Sequence, residues 1–354
     1  MQMFLIFIVG IAFSSLSSAN PTLGLPALSV PENNLQTPDK IELGRLLFHD
    51  SRFSGDGSIS CASCHHSDKA FTDALNTPLG INGQTGARNA PTVINAAFYK
   101  TLFLDGRAKS LEDQALGPFL NPVEHGLSDY KKIINVIKSD SAYPERFKQV
   151  FGIATDDIAI EHVVKAIASF ERTLISGNSL FDQYYFGRDH SKLSESAARG
   201  LRIFRRKGNC ANCHEISWDN ALFMDNQFYN IGVGFKRIDK QLSDIISTLQ
   251  TGGKIEDLDL SAEQISELGL FNVTGFIKDI GKFKTPTLRN IALTAPYMHD
   301  GSVESLEEVV DYYDKGGDKN RFIDSAIFPL HFTDQEKIDL VEFMKALTGS
   351  NKMK

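Results

Sequence analysis

Two pentapeptides carry the chemistry open to this sequence: Cys61-Ala-Ser-Cys64-His65 and Cys210-Ala-Asn-Cys213-His214. At the CxxCH spacing, two thiols add to the vinyl groups along one edge of a porphyrin while the adjoining imidazole reaches the iron. The chain has 4 cysteines, and the two motifs use all of them. Other uses of CxxC exist. A zinc ribbon would join both pairs in one four-thiolate site and leave both histidines without a role. A disulfide inside each pair would suit an oxidising compartment. Two matches with no cysteine left over favour two covalent haem c groups on Cys61, Cys64, Cys210 and Cys213, with His65 and His214 as proximal iron ligands. One face of each iron then remains to be decided. A His or Met there makes an electron carrier, whereas an open place beside polar groups makes a peroxide or oxygen site. The distal candidates are Gln114, Glu124, His125, Met298, His299, Tyr312 and Tyr313, each with an ordinary alternative as a loop or core residue.

Similar phrases precede the two motifs: Glu42-Leu-Gly44-Arg-Leu-Leu-Phe48 and Ala198-Arg-Gly200-Leu-Arg-Ile-Phe204. Helix, polar loop and CxxCH thus occur twice, as a duplication would leave them. Helical periodicity dominates elsewhere. Residues 155–175 open with Thr155 and space Ile158, Val163, Val164, Ile167 and Leu174 roughly on one face. Ser305-Leu-Glu-Glu308 and Thr333-Asp-Gln-Glu336 are capping boxes that start the last two helices. Residues 72–92 and 117–128 read as long loops, which need something to pack around. Residues 236–284 read as irregular apart from a helix opening at Ser261. Strand patterns are few and short. The expected fold is mainly α, with two cytochrome-c-like haem domains, 20–190 and 191–354.

The chain is 42% hydrophobic and 23% charged, enough apolar material for a substantial core. Its formal charge of −7 disfavours nucleic acid, whose phosphates need a basic face. Residues 3–13 are an apolar run too short to cross a bilayer of ~30 Å. Small residues then lead to Ala19, so residues 1–19 read as a secretory signal peptide cleaved after Ala19. Met1-Gln2 lacks the usual cation, which leaves an uncleaved anchor open. Export to the periplasm, without stable membrane insertion of the mature chain, is the expectation.

From about residue 38 to 348 the sequence resembles the bacterial di-haem cytochrome c peroxidase family, including its MauG-type branch. The resemblance is carried by Gly44-Arg-Leu-Leu-Phe48, the first CASCH, Arg88-Asn-Ala-Pro-Thr-Val-Ile-Asn95, Asp105-Gly-Arg107, Gln114 and Asn121-Pro-Val-Glu124. It continues through CANCH, Lys284-Thr-Pro-Thr-Leu-Arg-Asn-Ile-Ala-Leu-Thr-Ala-Pro-Tyr297, Met298-His-Asp-Gly301 and Ser305-Leu-Glu-Glu-Val-Val-Asp-Tyr-Tyr313. It implies that the haem on His65 is peroxidatic, that Glu124 moves protons during O–O cleavage, and that Gln114 is its companion. It also implies that the haem on His214 stores or relays electrons. Asn89, Thr294 and Pro296 match the family's calcium position between the haems, where oxygen donors suit a hard cation.

The sequence departs from the family in four places. Peroxidases that need prior reduction carry a histidine in the loop after the first CxxCH; here Ile81 stands at about that place, and no histidine occurs between His66 and Asn89. The resting iron is therefore expected to be open unless His125 or Glu124 moves onto it. Tyr313 stands where the peroxidase pattern has a methionine, which is the MauG-type choice, with Met298 as the rival ligand. Leu104 replaces the usual tryptophan before Asp-Gly-Arg and cannot carry oxidising equivalents. His125 replaces an apolar residue and either assists Glu124 or merely sits on the loop. The expected function is an exported di-haem peroxidase-type oxidoreductase that uses hydrogen peroxide at His65 and is MauG-like in spending its oxidising power on a protein substrate. Its alternatives are a conventional peroxidase fed by a small electron-transfer protein and a non-catalytic di-haem electron carrier.

Overall fold

The computed structural model describes residues 22–350, so the expected signal peptide lies outside the described residues. The first half holds α1 (Pro38–Phe48), α2 (Leu111–Leu120), α3 (Lys131–Ser139), α4 (Tyr143–Phe151), α5 (Ile160–Glu171) and α6 (Leu180–Tyr185). The second holds α7 (Glu195–Arg205), α8 (Leu242–Gln250), α9 (Ala262–Glu267), α10 (Phe271–Thr274), α11 (Leu306–Asp314) and α12 (Asp334–Lys345). Two short strands, β1 (Phe228–Tyr229) and β2 (Phe283–Lys284), pair antiparallel. Among the described residues no helix is long and apolar enough to cross a membrane.

The repeated phrase of the sequence is a repeated packing device. Thr37 caps α1 with Pro38 in the first turn, and Ser194 caps α7. α1 packs on α5 and α7 on α12. A Cβ on Gly44 would lie 1.9 Å from the Ala166 carbonyl oxygen, and one on Gly200 would lie 1.9 Å from that of Asp339. Only glycine admits these crossings. One turn later Phe48 meets Phe170 edge-on at 5.2 Å, and Phe204 meets Phe343 at 5.0 Å. The same rings lie 6.3 Å from His65 and 6.5 Å from His214. Each glycine thus sets a helix pair, and each phenylalanine ties that pair to the histidine of the following CxxCH. Gly44→Ala is expected to cost about 3 kcal/mol of stability, at the upper end for overpacking, as read by denaturant unfolding.

Three apolar clusters follow. One joins α1–α5 around Leu43, Phe48, Phe119, Phe147 and Ile167; the second joins α6, α7, α11 and α12 around Phe181, Phe204, Phe223 and Phe343. The third corrects the expectation for residues 236–284. Leu242, Ile245, Ile246 and Leu249 fall at helical spacing on α8 and pack with Phe235, Leu268, Phe271 and Ile280. The intervening Ser, Asp and Thr hid that stripe. The helix expected over 155–175 is likewise shorter. Thr155–Asp157 forms a separate turn, and α5 begins only at Ile160. α2 runs to Leu120 with Pro118 inside it, so the loop expected over 117–128 starts at Asn121. Both expected capping boxes form, Ser305 with Glu308 on α11 and Thr333 with Glu336 on α12.

Candidate active site

Both CxxCH segments fold as one tight turn that returns the histidine over the first cysteine. The His65 amide donates to the Cys61 carbonyl at 3.1 Å, and that of His214 to the Cys210 carbonyl at 2.9 Å. Each imidazole is then fixed by a second bond, His65 Nδ1 to the Phe71 carbonyl at 3.0 Å and His214 Nδ1 to the Phe223 carbonyl at 2.9 Å. A carbonyl only accepts, so Nδ1 carries the proton and Nε2 offers its lone pair, the arrangement a metal-binding imidazole needs. Burial lowers both histidine pKa values, which keeps the rings neutral. The four cysteines form no disulfide. They lie in two separate places, Cys61 against the first cluster and Cys210 against the second, which rules out one shared zinc site. Burial pushes the thiols of Cys64 and Cys210 up to about 12. A thioether has no proton to lose, so the same apolar setting suits an attached porphyrin.

Cys210, Cys213 and His214 open into a large, mostly apolar cavity walled by Leu306, Val310, Leu340 and Met344. A flat apolar group linked through both sulfurs fits this lining. Met298 and Tyr313 both face it. Burial, with the neighbouring Cys210 and Cys213 thiols, pushes the Tyr313 phenol up. Tyr312 is tied elsewhere: its hydroxyl donates to the Ile231 carbonyl at 2.9 Å and accepts from the Asp318 amide at 3.1 Å. His299 borders the cavity but stacks on Phe283 at 3.7 Å and bonds Glu267 through Nε2 at 2.8 Å. Glu267, His299 and Asp300 form, among the described residues, the one trio of side chains close enough to share a metal. Arg237 pairs with both carboxylates and supplies the cation there.

At the first CxxCH, Asn121 organises the loop that carries Glu124. Asn121 Oδ1 accepts from the Val123 amide at 2.9 Å, and its Nδ2 donates to Glu124 Oε1 at 2.6 Å. Burial raises the Glu124 pKa against the opposing pull of Arg107 and Asn121. The Glu124 loop is tied to the first motif through residues 79–81: Cys64 Sγ lies 4.0 Å from the Leu79 carbonyl. The side-chain partner of Glu124 is Asn121, not Gln114, which is half-buried on α2. The facing loop is clamped onto this one. The Ile81 amide donates to the Val123 and Glu124 carbonyls, each at 3.1 Å, and a Cβ on Gly80 would lie 1.7 Å from the Val123 oxygen. The Ile81 side chain is buried against Gly126. His125 is no surface residue: it is buried edge-on to Phe119 at 5.0 Å, and its Nδ1 donates to the Phe53 carbonyl at 3.1 Å.

Asn89, Thr294 and Pro296 all border the cavity of the second motif. The Asn89 amide nitrogen donates to the Leu75 carbonyl at 2.8 Å, which leaves its Oδ1 as the available donor to a cation. Leu104 borders the same cavity. Beside it stand two residues that sequence reasoning missed. Tyr99 accepts from the Thr287 amide at 2.7 Å, and Lys284 Nζ sits 3.6 Å over the Tyr99 ring while donating to the Thr101 carbonyl at 2.7 Å. Burial raises the Tyr99 phenol to about 12 and lowers the Lys284 ammonium to about 7. Their one signal in the sequence is position, Tyr99 just before Leu104-Asp-Gly-Arg and Lys284 heading the Thr-Pro-Thr-Leu-Arg phrase.

The family profile described as di-haem cytochrome c peroxidase matches residues 38–190. The cytochrome-c peroxidase IdrP1 of Pseudomonas sp. (strain SCT) is 36% identical over 94% of this chain and 87% of its own length. The methylamine utilization protein MauG of Methylorubrum extorquens is 35% identical over 90% of this chain and 80% of its own. A crystal structure of a MauG-like protein associated with microbial copper homeostasis superposes with a TM-score of 0.77 at 32% identity, covering 92% of this chain and 94% of that one.

Proposed function

Because this chain belongs to the di-haem cytochrome c peroxidase family, MauG included, and is an enzyme carrying haem c, we propose that it is an exported, periplasmic oxidoreductase. It consumes hydrogen peroxide at the haem on His65 and draws electrons through the haem on His214. When bound, the haem irons supply a place for peroxide and the reversible uptake of electrons. The rest falls to the side chains. His65 and His214 would hold the irons through Nε2, and Tyr313 would offer its phenol oxygen to the second. Glu124, turned by Asn121, receives a proton on Oε2 from one peroxide oxygen and returns it to the other. Gln114 orients peroxide. Asn89 Oδ1, with the Thr294 and Pro296 carbonyls, would hold a calcium ion, and the chain would divide into two haem-bearing units near residue 190.

The observation that carries this reading is the half-buried Glu124 carboxyl, its pKa raised by burial, on a loop clamped to the one after the first CxxCH, whose Ile81 cannot ligate iron. Tyr313 in the second cavity favours the MauG-like outcome, oxidation of a protein substrate. Hydrogen peroxide added to the fully oxidised, never-reduced holoprotein is expected to change its visible spectrum within the mixing time. A change only after one haem has been reduced would instead indicate a conventional, reductively activated peroxidase.

A further inference from the structure

The solvent face of α7 has a charge opposite to that of the whole chain. The chain carries −7, yet from Arg188 to Lys207 there are seven Lys and Arg residues against only Asp189 and Glu195. Lys192, Arg199 and Lys207 are each paired with a carboxylate. Arg202, Arg205 and Arg206 are exposed and, among the described residues, in no ion pair. These three edge a surface cavity between α6 and α7, with Tyr184, Tyr185, Ala198 and Leu201 as its remaining walls. Arg205 lies over the Tyr185 ring at 5.8 Å.

This groove is joined to the second CxxCH by continuous packing. Tyr185 stacks on Phe181 at 5.3 Å, and Phe181 meets Phe223 edge-on at 5.1 Å. The Phe223 carbonyl accepts from His214 Nδ1 at 2.9 Å. From the other side, Phe204 of α7 lies 6.5 Å from the His214 ring. The groove is therefore linked to the imidazole of the second motif through Tyr185, Phe181 and Phe223 on one side and through Phe204 of α7 on the other.

We propose that the Arg202–Arg205–Arg206 groove is the docking face for an acidic protein that delivers electrons to the haem on His214. This rests on the di-haem reading above. Each encounter oxidises the partner by one electron. Two electrons and two protons reduce one hydrogen peroxide to two waters. The charge asymmetry argues for a protein over a small anion. Three unpaired arginines at the C-terminal end of α7, with Tyr184 and Tyr185 beside them, offer a protein both charge and aromatic contact. The rest of the chain is net acidic, so the field both steers and orients an acidic partner.

The test uses the holoenzyme, with a reduced acidic blue-copper protein as probe and a basic c-type cytochrome as control. Binding is read by surface plasmon resonance and probe oxidation by stopped flow with peroxide, both across ionic strength. The acidic probe is expected to bind, more tightly as salt falls, and the basic control to bind at least tenfold more weakly. Arg202→Glu/Arg205→Glu/Arg206→Glu should weaken probe binding at least tenfold and flatten its salt dependence. The same variant should leave the donor-free spectral response to peroxide unchanged. Wild-type affinity and salt slope in the charge-reversed protein, or preferential binding of the basic control, would overturn the proposal. Failure of the peroxide reading would appear separately, as an absent spectral response in a protein that still binds the probe.

Discussion

Glu124→Gln is expected to lower peroxide turnover by about 10²–10⁴-fold while both haems still attach and the resting spectrum is unchanged. The amide keeps the size of the side chain and can still meet Asn121, so the loop fold should survive. What it loses is the capacity to take a proton. Glu124 Oε1 is engaged by Asn121 Nδ2 at 2.6 Å, which leaves Oε2 for the peroxide proton. Burial raises the carboxyl pKa from its ordinary value, which strengthens it as a base toward the peroxide proton. The return transfer is driven by the departing oxygen, which as a hydroxide is far more basic than any carboxylate. The loss corresponds to roughly 3–5 kcal/mol in the barrier. Steady-state peroxide consumption with an artificial reductant measures it. Wild-type turnover in the variant would remove Glu124 from the chemistry and return attention to Gln114.

The two CxxCH motifs were legible in the sequence because covalent attachment leaves no freedom in spacing: two thiols and one imidazole must meet one porphyrin edge. The helix pairs behind them were half legible. Gly44 and Gly200 announced themselves by repetition, but their partners Ala166 and Asp339 belong to helices far along the chain, where no local pattern marks a carbonyl as the surface a glycine must meet. The cluster around Phe235, Ile245 and Leu268 escaped notice because polar residues interrupt its apolar stripe, and tertiary packing supplied the missing selectivity.

Within the site, single residues brought together by the fold were the hardest to read. His125 had two open readings as a sequence residue, proton helper or loop residue. The structure buries it under Phe119 with its Nδ1 on the Phe53 carbonyl, a bond that anchors the loop. In the sequence Ile81 matters for what it lacks, a ligating atom. Its position shows a second consequence, since its amide and side chain hold the Glu124 loop in place. Tyr99 and Lys284 lie far apart in sequence and meet because the Lys284 amide bonds the Leu104 carbonyl at 2.8 Å. The pair puts an oxidisable ring beside the very residue, Leu104, that had marked a gap.

Tyr313→Met tests the second haem most sharply. A phenolate is a hard anionic donor that stabilises the ferric state, whereas a thioether favours the ferrous one. The replacement should raise the potential of that haem by on the order of 100 mV or more, within the roughly 0.8 V over which axial ligands act. The geometry explains why Tyr313 is the residue to change. Tyr312 has both hydrogen-bonding roles of its hydroxyl occupied by the Ile231 and Asp318 backbones, while Tyr313 faces the cavity with Cys210 and Cys213. Burial raises the Tyr313 phenol, so the free side chain resists ionisation and only a cation as strong as ferric iron would draw off its proton. That coupling predicts a second signature. Loss of the ligand at low pH should appear in the wild type as the phenolate is reprotonated, and should be absent in the methionine variant, because a thioether does not titrate. Spectro-potentiometry across pH reads both effects. An unchanged potential in Tyr313→Met, together with a shifted one in Met298→Leu, would transfer the ligand to Met298, the other side chain of the pair that faces this cavity.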